Sequence, residues 1–388
     1  MRTLFRKLHL WLSVPFGVVI TLICFSGAML VFEDEVVRMT CRDLFYVQKT
    51  ATAPVVTIDA AVRRVAATLP EGTTVRGVTV PSDPTRTWQV NLSRPKHAWV
   101  AFDPYRGAVV GHYERPAFFT AMFRLHRWLL GSRPDDGGIF WGKTVVGVST
   151  LLFIVVLVTG LVLWWPRTLR ALRRSLSFAP SKGWRRFWTD LHVAGGMYAL
   201  LFLLLMALTG LTWSFPWYRT AVYALLGVET SPAGGHGAAD KGKAAQGRDE
   251  ASADRQDRKG KRGEARTARE ADAAPWQAAY DALAARCAGH ERITVSRATA
   301  SVAYGWLGNS RAADRYDFDP QTGRITVFTP YADTAPAGKV RGWLYSLHVG
   351  SWGGMLTRVL SFAAALLGAT LPLTGYYLWL HRLHRRRR

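Results

Sequence analysis

The chain has 388 residues, 49% of them hydrophobic, and a formal net charge of +23. A length of this order allows two or three domains. So much apolar sequence beside so much positive charge excludes an ordinary soluble basic protein, because the basic residues stand in short runs next to apolar stretches long enough to cross a bilayer.

The first such stretch is 10–32, preceded by Arg2, Arg6 and Lys7. The residues after Phe32 read EDEVVR, with no small-residue cleavage site, so this is an uncleaved span rather than a signal peptide. It forms a first segment, 1–33. An outer domain is expected at 34–116, with a helical pattern in TIDAAVRRVAATL, alternating runs TTVRGVTV and TWQVNL, and then WVAFDPYRGAVVGHY. Residues 117–166 hold an interfacial helix with FRLHRWLLG and a second span over 144–165. A basic loop, 167–190, leads to the third span, 193–213, within 191–214. A second outer domain is expected at 215–345, with PWQAAYDALAARC, RITVSRA, SVAYGWL and RYDFDPQTGRITVF. Its insert, 231–274, has almost no aromatic or β-branched residues and is expected to be disordered. The fourth span, 360–379, lies in 346–381, and a basic tail, 382–388, ends the chain.

The positive-inside rule places both termini and 167–190 in the cytoplasm and the two outer domains across the membrane. The lipid bilayer is the partner these runs imply. Nucleic acid is not, since every basic run abuts a span.

The two halves repeat. F-D-P-x-x-G occurs at Phe102–Gly107 and Phe318–Gly323, each between β-rich runs, and reads as a hairpin turn. His9 precedes Gly27 by the same eighteen residues as His192 precedes Gly210, and VTGLVLWWPR matches LTGYYLWLHR without a gap. The expected fold is a membrane protein of four helices arranged as two repeated hairpins, each carrying a small α+β domain.

Four of the ten histidines occupy corresponding places. His9 and His192 open spans one and three; His126 and His348 precede spans two and four. A single imidazole at an interface is commonly only an amphipathic anchor. Two pairs in register are what two six-coordinate haem irons need, each with two axial nitrogens and an apolar slot. Gly195 and Gly196 share a helix face with His192, and Gly350, Gly353 and Gly354 follow His348; small residues there suit either a flat ring or helix packing. Arg124, Arg127 and Arg341 stand near the outer pair against the topological bias, where they could meet haem carboxylates. His381 near the end of span four competes for a place in the inner pair. No C-x-x-C-H occurs, which excludes covalent attachment. Cys41 and Cys287 both fall outside, with nothing in the sequence to say whether they pair.

Taken together, FRKLHLWLSVPFG with TLICFSGAMLVFEDE, LHRWLLG, DLHVAGG with LTGL, and LHVGSWGG with TGYYLW resemble the PepSY-associated transmembrane family, and within it the di-haem ferric-siderophore reductases. The likeness covers the chain apart from 231–274. It implies two PepSY-like periplasmic domains, two non-covalent haem b groups, an inner-membrane location and electron delivery to a ferric siderophore or other Fe(III) chelate; that chelate is expected to rest between the outer domains. On that basis His9 with His192, and His126 with His348, are the expected axial ligands, at levels ~20–27 Å apart at 1.5 Å rise per residue. The electron donor is not named by any motif. The other class these features allow is a non-enzymatic membrane protein that binds or regulates a periplasmic peptide or protease. A transporter would carry ionisable residues at mid-membrane, which these spans lack.

Overall fold

A computed structural model describes residues 2–49, 54–95, 98–135, 137–229, 274–305 and 308–386. The disorder expected for 231–274 therefore concerns residues that lie, except the last, outside the described ones. Among the described residues, four helical stretches are long and apolar enough to cross a membrane: Arg2–Val31, Trp141–Trp164, Trp184–Ser214 and Ser351–His384.

Helix α1 (Arg2–Val31) runs through Pro15 without ending. It stops at Phe32, and α2 (Glu33–Thr40) begins on three carboxylates, Glu33, Asp34 and Glu35, at the positive end of its dipole. A short α3 (Arg42–Phe45) leads outward to α4 (Ile58–Ala66) and strands β1 (Val75–Pro81), β2 (Trp88–Leu92), β3 (Trp99–Asp103) and β4 (Ala108–Tyr113). The chain returns through α5 (Ala117–Trp128) to the second span, α6 (Trp141–Trp164). The basic link holds the amphipathic α7 (Leu169–Leu176), capped by the Thr168 hydroxyl, and α8 (Trp184–Asp190). One π-helical turn, Leu191–Gly195, joins α8 to α9 (Gly196–Ser214). Beyond α10 (Pro216–Leu225) come α11 (Ala274–Arg286), β5 (Arg292–Ser296), β6 (Thr299–Ala303), β7 (Ala313–Phe318) and β8 (Ile325–Thr329), then α12 (Pro336–Val349) and the last span, α13 (Gly354–Arg386).

The outer segments differ from the expectation of two separate domains. Their strands form one antiparallel sheet of order β4-β3-β2-β1-β5-β6-β7-β8. The join is β1 against β5, with Val78 opposite Val295 and the Thr79 and Thr294 hydroxyls 3.0 Å apart. Helices α4 and α11 cover one face and share one core, in which Ile58, Val65, Val90, Phe102, Leu283, Ile293 and Val302 are buried. A cleft between two outer domains, where a chelate was expected to rest, is thus replaced by a packed seam. The reason is physical: each four-stranded half would leave a hydrogen-bonding edge open, and pairing β1 with β5 closes both.

Strand β3 is buried along its whole length because its second face packs on the helices at the membrane. There Trp99 and Ala101 meet Val37, Phe45 and Phe119. Two ion pairs also fasten this junction. Arg115 binds Glu33, its Nε 2.6 Å from Oε1. Arg358 of α13 holds Glu35, with Nη2 2.7 Å from Oε2, and also donates to the Val31 carbonyl that ends α1. Each F-D-P-x-x-G stretch closes a hairpin, β3–β4 or β7–β8. Asp103 accepts from the backbone N–H groups of Tyr105 and Arg106, Asp319 from those of Gln321 and Thr322. Gly107 and Gly323 take φ of 64° and 73°, open to glycine without strain.

Candidate functional site: two facing histidine pairs

The bundle brings the four paired histidines together two by two. His9 of α1 and His192 of the π turn face each other at the basic end, with ring centroids 6.3 Å apart. His126 of α5 and His348 of α12 face each other near the sheet, at 6.0 Å. Two metal–nitrogen bonds of roughly 2 Å plus a ring radius of roughly 1 Å on each side sum to roughly 6 Å, which is the spacing of the ring centroids in either pair. In α1, His9 and the Gly27 that packs on His126 are eighteen residues apart, about 27 Å of helix.

Each ring is fixed in the same way by another helix. His9 Nδ1–H donates to the Val156 carbonyl at 3.0 Å, and His192 Nδ1–H to that of Leu371 at 3.1 Å. His126 donates to Ile23 and His348 to Met206, both at 2.9 Å. A carbonyl can only accept, so Nδ1 carries the proton and Nε2 keeps its lone pair, which is the tautomer of a metal ligand with an ordered outer partner. Three residues after each carbonyl stands a serine or threonine, and then a glycine. Those glycines face the rings: a Cβ on Gly27 would stand 2.9 Å from His126 Cε1, on Gly210 3.0 Å from His348 Cε1, on Gly160 3.3 Å from His9 Cε1 and on Gly375 3.4 Å from His192 Cε1. A Ser/Thr-Gly pair in each span therefore seats the histidine of another helical segment. Spans one and two exchange this contact with α5 and α1, and spans three and four with α12 and the π turn.

The inner pair borders a cavity of about 570 Å³, whose lining includes Gly160, Gly196 and Gly375 and the cations Arg6, Lys7 and Arg382. That volume is in the range of small-molecule and cofactor sites. Near the outer pair the Trp213 ring lies 5.3 Å from the His348 ring. Four residues beyond His348, the Trp352 indole N–H is buried without a hydrogen-bond partner, as is the Ser149 hydroxyl within α6. A buried donor with no acceptor is costly, and a bound group can satisfy it.

Other candidates lie elsewhere. His381 is exposed and stacks on Tyr377 with ring centroids 5.9 Å apart, away from the His9–His192 contact. Gly350, Gly353 and Gly354 do not line a slot. Gly350 caps α12 at φ 75° and packs on Ser361 and Thr357, and the others build the turn into α13. Gly195 packs on Leu367 and Leu191. Arg127 lies over the Phe123 and Trp128 rings, while Arg124 donates to the Leu130 carbonyl. Cys41 and Cys287 are free, and Cys287 Sγ is 3.5 Å from the Tyr316 hydroxyl. Sequence reasoning marked Gly27 and Gly210 by their spacing from His9 and His192 but not their task. It also missed Asp190, which is buried and holds the basic link by accepting from Ala179 N–H at 3.1 Å and Arg186 Nε at 2.9 Å. The polar side chain next to an otherwise apolar span was the available signal.

No curated protein matches the chain. A family model described as the PepSY-associated TM region matches residues 6–382, nearly its whole length. With four membrane-length helices, an antiparallel outer sheet and that match, the chain belongs to the PepSY-associated transmembrane family.

Proposed function

We propose that this protein carries electrons across a bacterial inner membrane through two haem b groups, one on His9 and His192 and one on His126 and His348, and delivers them to a ferric siderophore or similar Fe(III) chelate on the sheet side. The observation that carries the reading is the recurrence of one arrangement: in all four histidines Nδ1–H is tied to a carbonyl and the ring lies on a glycine, while the rings face in pairs. A haem b held by two imidazoles supplies one-electron transfer with no open position on the metal.

The residues present suit that group. The π turn at Leu191–Gly195 sets the His192 ring opposite His9, and single-turn π bulges recur at functional sites. Gly160 and Gly196 keep the inner cavity wall low, and Arg6, Lys7 and Arg382 provide cations for the carboxylates of the ring. The buried, unpartnered Trp352 N–H offers a donor in the segment after His348. The orientation proposed, with both termini in the cytoplasm, rests on the basic runs at one end of the bundle. Reduction releases the metal because Fe(II) is larger and less charged than Fe(III) and binds hard oxygen donors more weakly.

We also read the chain as two copies of a span–outer segment–span unit. The sheet order is a palindrome about β1 and β5. The bulge between Ala101 and Phe102 recurs between Asp317 and Phe318.

The test is spectroscopic. Protein purified from iron-replete, haem-competent cells is expected to hold two haems per chain and to show sharp α and Soret bands on dithionite reduction. His9→Ala or His192→Ala should remove one haem, and His126→Ala or His348→Ala the other, while His381→Ala should remove neither. A colourless protein would overturn the reading and leave a membrane-anchored binding module.

A further inference from the structure

The four seats differ in one respect that separates the two ends of the bundle. At the basic end the seat hydroxyl bonds the carbonyl three residues before it: Thr159 donates to Val156 at 2.9 Å and Thr374 to Leu371 at 2.8 Å. That rotamer turns the hydroxyl lone pair toward the imidazole. His9 Nδ1–H thus has a second acceptor in Thr159 Oγ1 at 3.1 Å, and His192 Nδ1–H has one in Thr374 Oγ1 at 2.8 Å. Near the sheet the hydroxyls turn to the carbonyl four residues before. Ser26 donates to Leu22 at 2.6 Å and Thr209 to Leu205 at 2.7 Å, each with a longer contact to the residue three before. Thr209 Oγ1 then stands 3.3 Å from His348 Nδ1. Ser26 makes no such contact with His126 among the described bonds, leaving that imidazole the Ile23 carbonyl.

We propose that the rotamer of the Ser/Thr before each seat glycine sets the redox potential of the group its histidine holds, and that the outer group is thereby the easier to reduce. This rests on the di-haem reading. An imidazole whose Nδ1–H is given to more acceptors gains imidazolate character, donates more strongly through Nε2 and stabilises the ferric over the ferrous metal, which lowers the potential. The inner rings have two acceptors each; the outer rings have one good acceptor each and one long contact between them. Cations stand at both ends, with Arg6, Lys7 and Arg382 lining the inner cavity and Arg127 following His126 directly. The seats differ at the ligand atoms themselves, and an electron thereby rests preferentially on the sheet side. Thr159, Thr374, Thr209 and Ser26 are positioning residues, acting through the imidazoles.

The experiment is a spectroelectrochemical titration of the full chain in detergent, with the two midpoints assigned from His9→Ala and His126→Ala, each of which keeps one haem. The expected order is inner below outer. Thr159→Val with Thr374→Val should raise the inner midpoint and leave the outer one in place, and Thr209→Val should move only the outer one, by less. Should the double variant not assemble, Thr374→Val alone reads the same upward shift. An inner midpoint above the outer, or threonine variants that move neither or both midpoints together, would overturn the inference while leaving two haems bound. A wild-type preparation without haem bands would instead overturn the reading beneath it.

Discussion

At the scale of single residues, the seat glycines work by close approach, and the distances rank them. An alanine at Gly27 would press its methyl to 2.9 Å from the His126 ring, tighter than ordinary contacts, whereas at Gly375 the methyl would sit at an ordinary 3.4 Å from the His192 ring. Gly27→Ala is therefore expected to displace His126 and lower occupancy of the outer site alone, and Gly375→Ala to leave the inner site filled. Haem content per chain, read against the His→Ala variants, checks this. Asp190 gives a second prediction. It is buried and takes hydrogen bonds from Arg186 and the Ala179 backbone. Asp190→Ala leaves both donors unpaired, at a cost of about 1–3 kcal/mol. Because His192 is two residues on, the inner site should loosen with it, seen as a lower melting temperature and a broadened inner spectrum.

Among elements, the junction between bundle and sheet depends on charge. Burial works to raise the Glu35 carboxyl, but hydrogen bonding and attraction from Arg358, with Arg38 adding to them, hold it below the usual carboxylate range. Its side chain is 27% exposed and that of Arg358 20%, so the pair is only partly screened. A carboxyl whose folded pKa lies below its unfolded one stabilises the fold fully above the unfolded value, roughly 4.3 for glutamate, and loses this as pH falls through the lower folded value. Wild type should thus melt higher than Glu35→Gln at neutral pH, and the gap should close in acid. Arg358→Ala is the harsher change, since it strands both Glu35 and the Val31 carbonyl. A loss of about 2–4 kcal/mol is expected, measured by unfolding in detergent.

On the scale of the whole molecule, one sheet and one core join residues more than two hundred positions apart. The outer segments should therefore lose structure together. Val295 is fully buried and sits opposite Val78 across the seam. Val295→Ala removes two methyl groups from that core, at a cost of about 1–3 kcal/mol. Amide exchange should then quicken in β1 and β2 as well as in β5 and β6. Quickening confined to β5–β8 would mean the halves are independent after all.

The spans, the hairpin turns and the four histidines were legible because each depends on local pattern: apolar length for a membrane helix, Asp-Pro with Gly for a turn, repeated spacing for a repeat. The spacing of Gly27 and Gly210 from the histidines was visible too, but only as a repeat, since nothing local says that Gly27 lies on His126 or Gly210 on His348. Tertiary structure decided the rest. It put His192 rather than His381 against His9, merged two outer segments into one sheet, and turned Gly350 into a helix cap. Each of these depends on which surfaces meet. A strand edge, a ring face or a free lone pair is satisfied only by a partner far along the chain, and no local pattern of residues states where that partner will be.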